Sequence, residues 1–193
     1  MKLKVAKAVR VVTIAPISTL VALTIMYAHR PEIFGSTTHY ILTILFLVLV
    51  PITAYPLQPI IPGFKDQGRK GQRNLAMITA VIGYVLGTLS LIFVPAPDDC
   101  LVIYLTYLFS GLLFLLFNKV FKIGASGHAC GIAGPVAALI YFVGVKAFLG
   151  FLALLAACWA SLVMKRHTKS ELVIGASISV LALFIAIFVV KVV

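Results

Sequence analysis

Residues 172–190 read LVIGASISVLALFIAIFVV, nineteen residues in a row without a charge. As an α-helix this run is about 29 Å long, which matches the ~30 Å hydrocarbon core of a bilayer. The same signature recurs upstream. Candidate spans fall at Val11–Tyr27, Tyr40–Pro62, Leu75–Val94, Leu101–Phe117, Ala129–Val145, Ala147–Met164 and Leu172–Val190. The 193-residue chain is 62% hydrophobic and 11% charged, with mean hydropathy +1.15. A soluble domain carries nearer ~25% charged residues, so too few charges are present to cover a water-facing surface. The sequence therefore predicts an all-α fold, a polytopic transmembrane helix bundle of six to seven spans, forming a single domain over residues 1–193.

Two stretches need separate argument. The second span contains Pro51, Pro56 and Pro59. Membrane helices accept proline where neighbours satisfy the freed carbonyls, so kinks are expected there. Ala129–Met164 is apolar throughout except for Lys146. As one helix it would measure ~54 Å, so it must turn, and Gly144-Val145-Lys146…Gly150 is the place. The opening MKLKVAKAVR resembles the start of a leader peptide. No small-residue cleavage site followed by a polar mature domain comes after it, so an uncleaved first helix is expected. Cys100, Cys130 and Cys158 lie in or beside apolar runs without a CxxC pair and read as packing residues.

The span count sorts the charges. One face receives Lys2, Lys4, Lys7, Arg10, Lys65, Arg69, Lys70, Arg73, Lys119, Lys122, Lys165, Arg166 and Lys169; the other receives Arg30, Lys146 and Lys191. In a soluble protein a net charge of +11 would suggest nucleic acid. Here the cations sit in short loops between apolar runs, so membrane lipids or a bound phosphate are the expected partners and nucleic acid is not. The positive-inside rule puts the basic face in the cytoplasm. The four N-terminal cations read as signals of topology alone.

The acidic residues are Glu32, Asp66, Asp98, Asp99 and Glu171. Magnesium sites in lipid-processing enzymes need several carboxylates facing one cavity. No DxxxD or DxxD pair occurs, which argues against metal-dependent isoprenyl transferases and alcohol phosphotransferases. No metal and no cofactor is expected. Asp98 and Asp99 read as a solvated turn, and His29 and His39 as interfacial packing on the face opposite the basic loops.

His128 and His167 both stand at span edges on the basic face, and ionisable groups at such positions are functional candidates. His167 and Glu171 are four residues apart, one helical turn. A carboxylate on one ring nitrogen fixes the tautomer and makes the other a better nucleophile. Ser126-Gly127 opens the next apolar run, and a helix N-terminus favours an anion. Histidines, cations and a helix start together suit a bound phosphate.

These residues resemble the type 2 phosphatidic acid phosphatase (PAP2) superfamily, whose motifs are a Lys/Arg stretch ending in Arg-Pro, a Pro-Ser-Gly-His, and an Arg-x5-His-x3-Asp. Ser126-Gly127-His128 matches the second motif, with Ala125 in the proline's place. The run His167 to Ala176 resembles the end of the third, with Glu171 for aspartate. Phe64 to Arg73 resembles the first at looser spacing, with Asn74 for proline. The third-motif arginine would fall at Ser161; either Lys165 or Arg166 substitutes, or the site is weakened.

The resemblance implies that His167 attacks phosphorus, Glu171 orients it, and His128 protonates the leaving group. It also implies that Arg73, Arg69, Lys65, Lys122, Ser126, Gly127 and Arg166 hold phosphoryl oxygens. The expected activity is hydrolysis of a lipid phosphate or diphosphate in a plasma or inner membrane, through a phosphohistidine and without metal. The competing expectation is a catalytically weakened relative that binds anionic lipid. A transporter would carry charges at mid-span, and the spans show essentially none.

Overall fold

The computed structural model describes residues 1–192. Its helices are α1 (Lys2–Val12), α2 (Ala15–His29), α3 (Thr37–Leu57), α4 (Gly68–Phe93), α5 (Asp98–Val120), α6 (Gly127–Val143), α7 (Gly150–Val163) and α8 (Lys169–Lys191). The chain is a multi-pass helical membrane protein. Five helical segments are long and apolar enough to cross a bilayer, and α1 with α2 adds a bent sixth. Helix α6 has 17 residues, about 26 Å. It is the central helix, burying Ala129, Ile132, Ala133, Val136 and Phe142 among others, so it meets protein on most of its surface.

Seven segments, α2 to α8, run alternately up and down. Gly131 of α6 lies against Ala15 of α2 with no space for a Cβ, and Gly134 lies against Ser179 of α8, so these three helices run parallel at close approach. Helix α5 runs antiparallel to α8: Lys191 Nζ at the end of α8 reaches Asp99 Oδ1 at 3.0 Å at the start of α5. The main core joins Leu23 and Met26 of α2, Leu47 of α3, Ile103 and Tyr104 of α5, Phe142 of α6 and Leu183 of α8. Large apolar side chains such as Ile92, Phe93, Leu152 and Phe184 are more than 60% exposed. An exterior of this kind is stable against hydrocarbon and not against water.

Several boundaries differ from the sequence reading. The first crossing does not begin at Val11. Val11 and Val12 end α1, the chain breaks at Thr13-Ile14, and α2 starts at Ala15 with Pro16 in its first turn, bent 55° from α1. Proline suits that position because its missing N–H has no partner to lose. The second crossing stops at Leu57, short of Pro62. Its proline distortion takes a definite form: a π-turn at Leu45–Leu49, where Val50 N–H bonds to the Leu45 carbonyl, then a break at Thr53. Pro51 offers no N–H, and the wider turn accommodates its ring. Between α6 and α7 the chain turns where expected, at Gly144, whose φ of +98° is open to glycine. Asp98 and Asp99 form no free turn; they open α5 and pair with Lys191.

This order puts the starts of α2, α4, α6 and α8 at one end of the bundle. Thirteen Lys and Arg residues and two carboxylates, Asp66 and Glu171, belong to that end; three cations and three carboxylates belong to the other. The whole formal charge of +11 therefore sits at one end. At the opposite end Arg30 pairs with Glu32 and caps α6 by donating from Nη1 to the Phe142 carbonyl at 3.1 Å.

Candidate functional site

The start of α8 is closed by a capping box. Thr168 Oγ1 accepts from Glu171 N–H at 3.3 Å, and Glu171 Oε2 accepts from Thr168 N–H at 2.8 Å. The same Oε2 lies 3.3 Å from His167 Nδ1. A carboxylate oxygen can only accept, so the proton belongs on Nδ1 and the Nε2 lone pair is left free. The His167 side chain is 15% exposed. Burial holds its pKa below the ordinary histidine value; Glu171 works against that shift, and Arg10 and Arg73 add to it. The ring is therefore neutral at pH 7.

The loop before α6 is fastened to this helix start. Asn118 donates from Nδ2 to the Phe114 carbonyl and accepts from Ala125 N–H, each at 3.0 Å. Ser126 donates its backbone N–H to the Glu171 carbonyl at 2.8 Å. Gly175 has no room for a Cβ, which would strike the Ser126 carbonyl, and a Cβ on Gly124 would meet Glu171 Oε1. Ser126 is fully buried and its hydroxyl accepts from Ala129 N–H, making it the cap of α6. The exposed group at this turn is Gly127, the first residue of the helix.

His128 follows in the first turn of α6. Its Nε2 lies 3.1 Å from Thr13 Oγ1, whose own proton is donated to the Val9 carbonyl at 2.7 Å. The hydroxyl therefore accepts, which assigns the His128 proton to Nε2 and leaves Nδ1 unprotonated. His128 lies within electrostatic range of His167, Arg10 and Arg166.

The predicted residues do not all converge. His167, Glu171 and His128 come together, with Arg73 in electrostatic range of His167. Arg166 is close to Arg69, and burial followed by that like charge lowers its pKa. Lys65 and Lys122 stand exposed, with no side-chain bond or ion pair into the cluster. Among the described residues no group of three metal-ligating side chains forms.

Arg10 belongs to the cluster and was not among the predicted site residues. Its Nη1 donates to Ser161 Oγ at 2.6 Å across 151 residues of sequence. Reading the N-terminal cations as topology signals alone therefore fails for this one. Thr13 and Asn118 were also missed. None of the three has a local sequence signal, because each acts through a partner supplied by the fold. Compared with family models, curated proteins and solved structures, the chain matches none of them.

Proposed function

We propose that the protein is a membrane-embedded lipid phosphatase of the PAP2 type, hydrolysing a phosphomonoester or diphosphate of a lipid such as phosphatidate, phosphatidylglycerophosphate or a polyprenyl phosphate. The observation that carries this reading is the His167–Glu171 pair. It presents an unblocked, neutral Nε2 beside a second histidine and a group of guanidinium side chains.

His167 Nε2 attacks phosphorus in line, forming a P–N bond as the P–O bond to the lipid breaks. The leaving oxygen takes a proton from His128, which burial and the nearby cations keep neutral before a phosphate binds, its pKa pulled down to about 3, and which becomes imidazolium only beside the negative charge of the bound phosphate. Neutral His128 then accepts a proton from water as that water attacks phosphorus, and the P–N bond breaks to return His167 and release phosphate. Arg73, Arg69 and Arg166 offset the charge that builds on the phosphoryl oxygens, usually the largest contribution to such catalysis. The positive-inside rule favours a cytoplasmic site, which suits newly made lipid phosphates.

A cavity of about 70 Å³ is the place where the start of a substrate's apolar part would fit. Ala15, Leu47, Pro51, Tyr55, Ala76 and Ala80 line it, where α2, α3 and α4 meet. Ala15 is two residues from Thr13, and Tyr55 lies within electrostatic range of Arg10, so the cavity lies at the cluster's end of the bundle.

The test is phosphate release by detergent-purified protein in EDTA, across phosphatidate, phosphatidylglycerophosphate and prenyl mono- and diphosphates, beside His167→Ala. Release by the wild type and none by the variant is expected, with acid-labile, base-stable phosphate on the protein after a rapid quench. No release from any substrate overturns the reading and leaves a protein that only binds anionic lipid.

A further inference from the structure

Arg10 lies outside every motif that pointed to the site, in the short helix that precedes the 55° bend into α2. Lys2, Lys4 and Lys7 of α1 are exposed and Ala6 is buried. This is the pattern of a helix lying along the interface. The Arg10 side chain turns inward and is partly buried.

Its surroundings do not satisfy it. Among the described residues Arg10 has no carboxylate partner. Its one hydrogen bond is to Ser161 Oγ at 2.6 Å, and that hydroxyl passes its own proton to the Ala157 carbonyl at 2.8 Å. A guanidinium has five N–H donors, so four remain unused. The nearest charges are like charges: burial, then Arg166 and Arg69, pulls the Arg10 pKa down to about 10. The only carboxylate of the cluster, Glu171, is already shared between His167 and the Thr168 N–H. A partly buried guanidinium facing other cations with no uncommitted anion among them is a costly arrangement unless an anion binds there.

Two contacts fix where that anion would sit. Thr13, at the end of α1, holds the His128 ring, and three residues earlier Arg10 reaches Ser161, the position at which the third-motif arginine would have stood. Ser161 is fully buried and carries no charge. We infer that Arg10 is a phosphate-binding residue of this site, supplying from α1 the guanidinium that α7 lacks at Ser161. This inference rests on the proposed phosphatase reading for the comparison with Ser161 and for its turnover arm, and on the geometry of Arg10 for phosphate binding. The fork of a guanidinium can take two oxygens of one phosphoryl group at once, and Ser161 serves as the bracket that orients it.

The experiment compares wild type, Arg10→Ala, Arg10→Lys and the double variant Arg10→Ala/Ser161→Arg in detergent. Inorganic phosphate binding is measured by calorimetry and lipid phosphate turnover is measured separately. Arg10→Ala is expected to weaken phosphate binding and to lower kcat/KM by about 100-fold. Arg10→Lys is expected to recover part of that loss. The double variant is expected to regain at least about tenfold, because an arginine on α7 restores the same charge to the same place. A purely structural role for Arg10 would not be rescued from another helix.

Phosphate binding in Arg10→Ala within about threefold of wild type overturns the inference. If Arg10→Ala does not fold, the double variant decides: phosphate binding near the wild-type value supports the inference, and its loss overturns it. If wild type binds phosphate, Arg10→Ala does not, and no lipid turns over, the inference holds and the phosphatase reading fails.

Discussion

The backbone N–H of Ser126 donates to the backbone carbonyl of Glu171 at 2.8 Å, so the turn that starts α6 is bonded to the turn that starts α8. Gly175, one turn further along α8, keeps that junction closed because any Cβ would strike the Ser126 carbonyl. Gly175→Val is expected to push the two helix starts apart. Thermal unfolding in detergent should show a loss of about 1–3 kcal/mol, and turnover should fall further than stability does. Ser177→Val, two residues on and on the exposed face of α8, is the control expected to leave both unchanged.

The protonation state of His167 sets the acid side of the pH profile. Burial holds its pKa below the ordinary histidine value, and Glu171 raises it against that trend. The proposed reaction needs the neutral ring, so kcat/KM is expected to hold as pH falls to about 6.5 and to decline below that. Glu171→Gln removes the raising influence. Its acid limb is expected to move to still lower pH, while kcat drops by about 10- to 100-fold because the ring loses its orienting acceptor. A limb that moves to higher pH would contradict this assignment.

Thr13 is the only hydrogen-bond partner of His128 among the described residues. Thr13→Val keeps the shape of the side chain and deletes the acceptor. The expected result is a fall of about tenfold in kcat with KM little changed, since the ring is released and the phosphate ligands are untouched. Equal losses in binding of inorganic phosphate and in kcat would mean that α1 itself has shifted.

The cavity between α2, α3 and α4 makes a prediction about the substrate's apolar part. Ala76→Leu with Ala80→Leu fills the space lined by these two residues. Turnover of long-chain lipid phosphates is expected to fall several-fold relative to a short-chain, water-soluble analogue. Equal effects on both would place the hydrocarbon chain elsewhere.

Much of this architecture was legible because the sequence signals it locally. Leu172–Val190 is apolar by composition, and His167 and Glu171 pair through the pitch of one helix start. The turn at Gly144 needs a residue that adopts positive φ. What could not be read depends on distant partners. Val11 and Val12 are as apolar as the residues of α2 beyond them, so hydropathy ran on through the 55° bend. That bend is held by packing and by the Arg10–Ser161 and Thr13–His128 bonds. Lys65, Arg69, Arg73 and Lys122 all stand exposed, and which of them faces the histidines is a property of the folded loops that composition does not carry.

The contact between Arg10 and Ser161 also orders events in time. At about 5–20 residues per second, the ribosome adds the 151 residues that separate them over roughly 8–30 s. Until His128 is made, 115 residues after Thr13, α1 has neither that ring nor its bracket on α7, and until α7 follows it still lacks the bracket. The cluster is completed by the first helix synthesised meeting one of the last, so a chain stalled before α7 would be inserted and anchored with the cluster still unassembled.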